Sequence, residues 1–408
     1  MFYNLTDVNE FSEILKNGTD NKTLKVTNIK SRTNGNTYKI VSYDKNLLSH
    51  DNISTIGLFR SVILNSNNNV VSFSPPKSVQ SDTFIKLYPE KNENIVAQEF
   101  IEGTMINVFW DPTIGLTGSW EIATRNTISA TSKFFKSENS KSFSEMFLEA
   151  AVETKLMIER LNPNYCYSFV LQHPENRIVV PFLKPQLYLV AMYYININLE
   201  NGQVIINPTE LDIPFVGWEY TNIKFPQILQ GETYSELIDK YASMNTDYKT
   251  LGIMLHNKLT GERSKIRNPV YEQVRHLRGN QPKLQFQYLS LRKEGKVKDF
   301  LQFYPENKRE FSDFRDQVHL FTNTLLSNYI SCYIKKEKPL KEFLEQYRTH
   351  MFNIHKKYMD ELKDKQLYVN NTVVINYVND MAPTLLMYSL NFHMRKRNVD
   401  FIKSEEKE

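Results

Sequence analysis

The chain is poor in cysteine, in net charge and in long apolar runs, and each shortage excludes something. Two cysteines, Cys166 and Cys332, in 408 residues make neither a disulfide scaffold nor a four-thiolate zinc site. A reducing, cytoplasmic setting is the expectation. Mean hydropathy is -0.47, and no apolar run approaches the ~20 residues that a membrane-spanning helix needs. The opening stretch Met1-Phe2-Tyr3-Asn4-Leu5 has no basic segment ahead of an apolar core, so no secretory leader is expected. Fifty basic residues against 46 acidic ones leave a net charge of +4. That bulk charge is too small to establish nucleic-acid binding, because local patches decide it. There is no glycine-rich phosphate fingerprint, no internal repeat and no long low-complexity stretch.

What the chain does have is aromatics and alternation. Aromatic residues make up 12%, with 23 Tyr and 25 Phe. Core filling accounts for most of them, and a minority could stack on bases. At roughly 150 residues per domain, the length predicts two or three domains. Residues 1–55 read as a polar N-terminal extension packed on the adjoining β-rich domain, with a short helix over Asp7 to Lys16 and a strand over Thr37 to Tyr43. Residues 56–295 are dominated by short β-rich runs. These include Ser61 to Leu64, Val70 to Phe73, Asn94 to Phe100, Met105 to Trp110, Trp120 to Thr124, Tyr165 to Leu171, Arg177 to Pro181 and Gln203 to Ile206. One helical face interrupts them between Ser142 and Arg160. Residues 296–408 read as helical, with amphipathic stretches at Phe311 to Lys335, Pro339 to Asp364 and Val373 to Arg395. Pro339 suits a first helical turn. The predicted fold class is α+β: antiparallel sheets followed by an all-α C-terminal domain.

Seven segments stand in an informative order. Ser61-Val62-Ile63-Leu64 and Val70 to Lys77 come first, then Gln98-Glu99-Phe100-Ile101-Glu102-Gly103-Thr104. Trp120-Glu121-Ile122-Ala123-Thr124-Arg125-Asn126 and Ser168 to Val180, with Pro174-Glu175-Asn176-Arg177-Ile178-Val179-Val180, come next. Leu251-Gly252-Ile253-Met254 and Ser264-Lys265-Ile266-Arg267-Asn268 close the series. This order resembles the covalent nucleotidyltransferase superfamily of RNA ligases, DNA ligases and capping enzymes, most nearly the tailed-phage, tRNA-repair RNA ligases. The resemblance covers about residues 55 to 275. It implies a ligase-like nucleotidyltransferase domain and a pocket for a nucleotide.

Four departures qualify that implication. The family's first motif is Glu-Lys-x-Asp-Gly, whose lysine carries the nucleotide covalently; here Phe100 stands in the lysine position. A phenyl ring has no lone pair with which to form a phosphoramidate. Val170 and Leu251 stand where the family has glutamates associated with ribose and metal. Neither supplies the hard oxygen donors a divalent ion wants. Arg267 replaces a lysine in the last motif, keeping the charge but changing its geometry. Exchanging one cation and two acids for apolar side chains together avoids leaving uncompensated buried carboxylates. The resemblance therefore implies a degenerate pocket without catalytic residues, metal or cofactor.

Lys77, Arg125, Arg177, Lys265 and Arg267 are the candidate phosphate contacts. Phe100, Glu102, Trp110 and Trp120 complete the candidate nucleotide- or RNA-binding set, with Trp218 as a further aromatic surface or loop anchor. Burial in strands is the competing role for Trp110 and Trp120, and an ion pair with Glu175 or Glu121 for Arg177. His173 reads as a hydrogen-bonded turn residue rather than a metal ligand. The basic run Arg263 to Arg278 is the best nucleic-acid track. The leading reading is a non-catalytic binder of an RNA 5′ end or nucleotide, with an mRNA cap reader as its sharpest form. A second is an active ligase using Mg and ATP with a displaced lysine, Lys86, Lys91 or Lys265. A third is a scaffold that binds a protein partner through the C-terminal helices. No membrane partner is expected.

Overall fold

In the computed structural model, residues 1–133, 140–198, 200–209, 211 and 218–394 are described. Alternating β-branched and aromatic runs build three antiparallel sheets. The largest has six strands in the order Tyr3–Asn4, Val204–Thr209, Gln186–Ile197, Tyr165–Gln172, Thr104–Asp111 and Ser119–Ala123. A four-stranded sheet runs Leu24–Lys30, Thr37–Tyr43, Val62–Leu64, Val70–Phe73. A three-stranded sheet runs Arg263–Arg267, Gly252–Asn257, Ile95–Glu99, with Arg263–Arg267 on its edge.

The helix Phe143–Glu153 starts at Ser142, whose side chain and that of Glu145 cap each other's backbone amides. That capping box satisfies two amides that the first helical turn leaves without partners. Its apolar face, Met146, Phe147, Ala150 and Ala151, packs with Phe169, Leu171, Leu187 and Leu189 of the large sheet.

The chain divides into two compact units, Met1–Arg275 and His276–Glu408. The division falls after Arg275, not after residue 295, because helix Leu284–Glu294 belongs with the helices C-terminal to it. Residues 1–55 form no separate layer: Leu24–Lys30 pairs with Thr37–Tyr43, which pairs with Val62–Leu64. Leu5, Phe11 and Tyr38 are fully buried in the same core as Phe59 and Phe73.

Local expectations fail where backbone chemistry overrides pattern. Arg177 to Pro181 is no strand but a loop of bends after a short 3-10 turn, Pro174–Asn176. Pro339 does not open an α-helix; it precedes a 3-10 turn, and the helix begins at Glu345. The stretch from Val373 is two helices, Asn371–Asp380 and Pro383–Leu390. Pro383 has no N–H to continue the first and suits the opening of the second. The end of that stretch, 395, and the tail beyond it lie outside the described residues. The long helix Lys308–Tyr329 runs on into a π-turn, Ile330–Ile334.

Candidate nucleotide and RNA-end pocket

The site begins with a tight turn. Ile95–Glu99 ends and Thr104–Asp111 begins within five residues, and Phe100 donates its amide to Gly252 O at 3.2 Å. Gly103 has φ 152°, and a Cβ there would lie 2.4 Å from Leu171 O and 2.6 Å from Val170 Cγ1. Gly252 has φ 138°, and its Cβ would sit 2.1 Å from Ile266 O. Both positions exclude a side chain by contact and by conformation. Asn268, fully buried, ties down the approach to Gly252 by donating to Asp247 O at 2.8 Å and Thr250 O at 2.9 Å.

Glu102 is 5% exposed. Its carboxylate accepts the amides of Val179 and Val180 at 3.0 and 3.1 Å. Burial raises its carboxyl above the ordinary value, while those amides, the Tyr271 hydroxyl and the Arg177 charge pull the other way. Arg177 donates Nε–H to Val179 O at 3.0 Å, bracing the same loop. Its two proposed acidic partners are otherwise engaged. Glu175 pairs with Lys141 at 2.7 Å, and Glu121 accepts from Ser31, Thr33 and Asn34.

The opposite side of the turn is cationic. Side chains alternate along a strand, so Arg263, Lys265 and Arg267 share one face of the edge strand Arg263–Arg267. Lys265 Nζ lies 5.7 Å and Arg267 Cζ 5.9 Å from the centre of the half-buried Phe100 ring. Arg60, Lys77, Arg125 and Arg263 extend the cluster. Burial, then the charges of Arg267, Arg60, Lys77 and Arg263, brings Lys265 down to about 8. Burial and the neighbouring Arg60 and Arg125 lower Lys77, and burial with Arg263 and Arg125 lowers Arg60.

Of these six cations, Arg267 has a carboxylate partner, Glu272, at 2.5 Å. Among the described residues the other five have none within ion-pair distance. Arg125 Nε and both Nε and Nη1 of Arg263 are buried without a hydrogen-bond acceptor. Buried donors of this kind are costly unless something accepts from them. An anion is the chemistry the arrangement fits.

A divalent metal fits poorly. Val170 and Leu251 are 7% and 8% exposed and offer no oxygen. Glu102 is committed to backbone amides, Glu99 accepts from Gln227 N at 3.0 Å, and Glu272 holds Arg267 and Arg275. Among the described residues, no three His, Cys, Asp or Glu side chains converge as ligands.

The structure brings together Phe100, Lys77, Arg125, Lys265 and Arg267, with Glu102 and Arg177 behind the turn. It does not bring Trp110 and Trp120 there. Those rings face each other across paired strands, edge-on at 5.5 Å. Trp110 lies six residues along its strand from Thr104, roughly 20 Å at the rise of an extended chain. Trp218 packs against Tyr167 and Phe225. His173 is a buried turn residue held by Glu149, as its surroundings in the sequence suggest. Arg60 is the residue that sequence reasoning missed. Its signal is a lone cation in the otherwise uncharged run Gly57-Leu58-Phe59-Arg60-Ser61-Val62-Ile63-Leu64.

With this geometry in place, similarity to known proteins becomes informative. No protein-family model matches the chain. An RNA ligase of Rhodothermus phage RM378 is 23% identical over 293 residues, covering 64% of this chain and 64% of the relative. An immediate-early protein ICP-46 homolog of Invertebrate iridescent virus 6 is 23% identical over 271 residues, covering 62% of this chain and 56% of the relative. The chain thus spans less than two thirds of the length of these curated relatives. Among solved structures, an archaeal ATP-dependent RNA ligase aligns at TM-score 0.41 and 10% identity, over 75% of this chain and 74% of that one. A mutant RNA ligase of Naegleria gruberi aligns at TM-score 0.35 and 14% identity, over 49% and 57%. The sequence match to the phage enzyme, together with the motif order, supports a likeness to the covalent nucleotidyltransferase superfamily. Within that superfamily the likeness is to RNA ligases.

Proposed function

We propose that this chain is a non-catalytic, RNA ligase-like protein that reversibly holds the phosphorylated 5′ end of an RNA, or a nucleotide. One observation carries the reading: a cluster of six cations, five without an acidic partner among the described residues, adjoins a phenyl ring where the superfamily places its nucleophilic lysine, with Lys265 and Arg267 against that ring. Such a pocket neutralises phosphates but has no amine at the attacking position. A cap reader is the narrower form of this reading, and the geometry supports it less well. Lys265 and Arg267 already lie over the Phe100 ring, and a methylated, positively charged base would meet them there.

Lys265 gives the active-ligase reading its own support. An amine brought down to about 8 by burial and neighbouring cations is partly unprotonated near neutrality. In that reading Lys265 Nζ attacks the α-phosphorus of ATP, a P–N bond forms, pyrophosphate leaves and the ammonium proton passes to solvent. Lys86, by contrast, is exposed on the helix Ser81–Leu87. A scaffold reading draws on Leu320, Leu344, Phe352 and Tyr368, which are exposed in the helical unit.

Two assays separate these readings. Incubation with labelled ATP or GTP and magnesium, followed by acid quench, leaves no protein-bound label if the pocket only binds; an acid-stable band that disappears in Lys265→Arg establishes the ligase. Titration with 5′-triphosphate, 5′-monophosphate and capped RNA is expected to show salt-sensitive binding. Absence of binding to all three and to free nucleotide would leave the scaffold.

A further inference from the structure

We infer that this pocket takes its phosphate ligand free of divalent metal, with Arg60, Arg125 and Arg263 supplying the charge that a bound metal would otherwise supply. This inference rests on the phosphate-binding reading above and adds the form of ligand that the site selects.

A site that accepts a metal–phosphate complex needs free oxygen donors facing the ligand, because magnesium keeps near-octahedral oxygen coordination. Here three acids beside the turn already have partners. Glu102 accepts from Val179 and Val180, Glu99 from Gln227, and Glu272 from Arg267 and Arg275. Val170, packed toward Gly103, and Leu251 present hydrocarbon.

The cations point the other way. Arg125 stacks 5.4 Å from the Tyr43 ring, which holds its guanidinium in place while Nε stays without an acceptor. Among the described residues Arg263 has a weak sulfur contact, Nη2 to Met254 Sδ at 3.8 Å, and its buried Nε and Nη1 have no acceptor. Among the described residues Arg60 has no side-chain acceptor, and it lies close enough to both for like charges to oppose one another. A divalent ion arriving with the phosphate would add positive charge to this set and remove negative charge from the ligand. The bare polyanion relieves the repulsion among these charges.

The test uses the full chain and inorganic tripolyphosphate, titrated calorimetrically in EDTA and again in excess magnesium at matched ionic strength. Matching matters because salt alone screens exposed charges. The expected result is an affinity at least tenfold weaker in magnesium. Arg263→Met and Arg60→Met are each expected to weaken binding in EDTA by at least tenfold, with circular dichroism reporting the fold. Should either variant not fold, Lys77→Met is the substitute, with a smaller loss. Equal or stronger binding in magnesium overturns the inference while leaving phosphate binding intact. If tripolyphosphate fails to bind in both conditions although RNA ends or nucleotides bind, the inference falls and the binding reading stands. If none of these ligands binds, both fall.

Discussion

The two sides of the Phe100–Gly103 turn treat charge in opposite ways. Behind it, Glu102 is enclosed and fully engaged by the Val179 and Val180 amides. In front, Arg125 and Arg263 keep buried donors without acceptors. A polar group that holds the fold together has its partners in the protein; a polar group kept for a ligand does not. The contrast separates structural from functional charge within a few residues, where residue type by itself could not.

Four experiments would break or sharpen that contrast, beginning with the turn that supports both sides. Gly252→Ala forces a Cβ to within 2.1 Å of Ile266 O and is expected to cost at least about 3 kcal/mol; a melting temperature equal to wild type would refute the constraint. Glu102→Ala strips two buried amides of their acceptor and should cost about 2–3 kcal/mol, measured by urea denaturation. Glu102→Gln should cost less and also change the pH response. Because the folded carboxyl sits above its ordinary value, burying its charged form costs stability at neutral pH. Stability from this group is therefore regained as pH falls through the raised value toward the ordinary one. The Gln variant should lack that component, and identical pH profiles would count against it.

On the front side, Lys265 is charged below about 8, so its contribution to phosphate binding should fade as pH rises through that value. Lys265→Arg, always charged, should retain affinity at pH 9, whereas Lys265→Ala should lose about tenfold at pH 7, as expected for about 1.5 kcal/mol. An affinity flat from pH 7 to 9 in the wild type would remove Lys265 from the site. The smallest effect belongs to Trp110. Trp110→Phe should lower stability by about 1 kcal/mol through lost packing on Trp120 and leave phosphate affinity unchanged. Weakened binding would return that tryptophan to the pocket.

Much of the fold was legible. Period-two alternation located Thr37–Tyr43 and Val70–Phe73 to the residue; helical spacing located the start of Phe143–Glu153 but overran its end, where Lys155 turns to φ 56° before a separate 3-10 turn at Ile158–Arg160. Misreadings cluster where pattern and backbone chemistry disagree. Arg177 to Pro181 looks like a strand because Ile178, Val179 and Val180 are β-branched, yet two of its amides are turned onto Glu102 instead of a ladder. Trp110 and Trp120 admit two roles in the sequence, base surface or burial in strands; cross-strand pairing gives them each other. Arg60 escaped notice because it lies outside every motif and joins the site through the four-stranded sheet and the loop after it.

By itself, the order of residues determined which side chains stand at the motif positions: Phe100, Val170 and Leu251 bring neither an amine nor a carboxylate of their own. Order also determined which short runs become strands, since that arises from local spacing. Tertiary structure alone decided which charges are satisfied. Glu102 and Arg263 are equally ionic on paper, and only the path of the chain gives one its amides and leaves the other facing its own kind. That outcome depends on contacts between segments distant in sequence, such as Glu102 with Val179 and Phe100 with Lys265, which local periodicity does not encode.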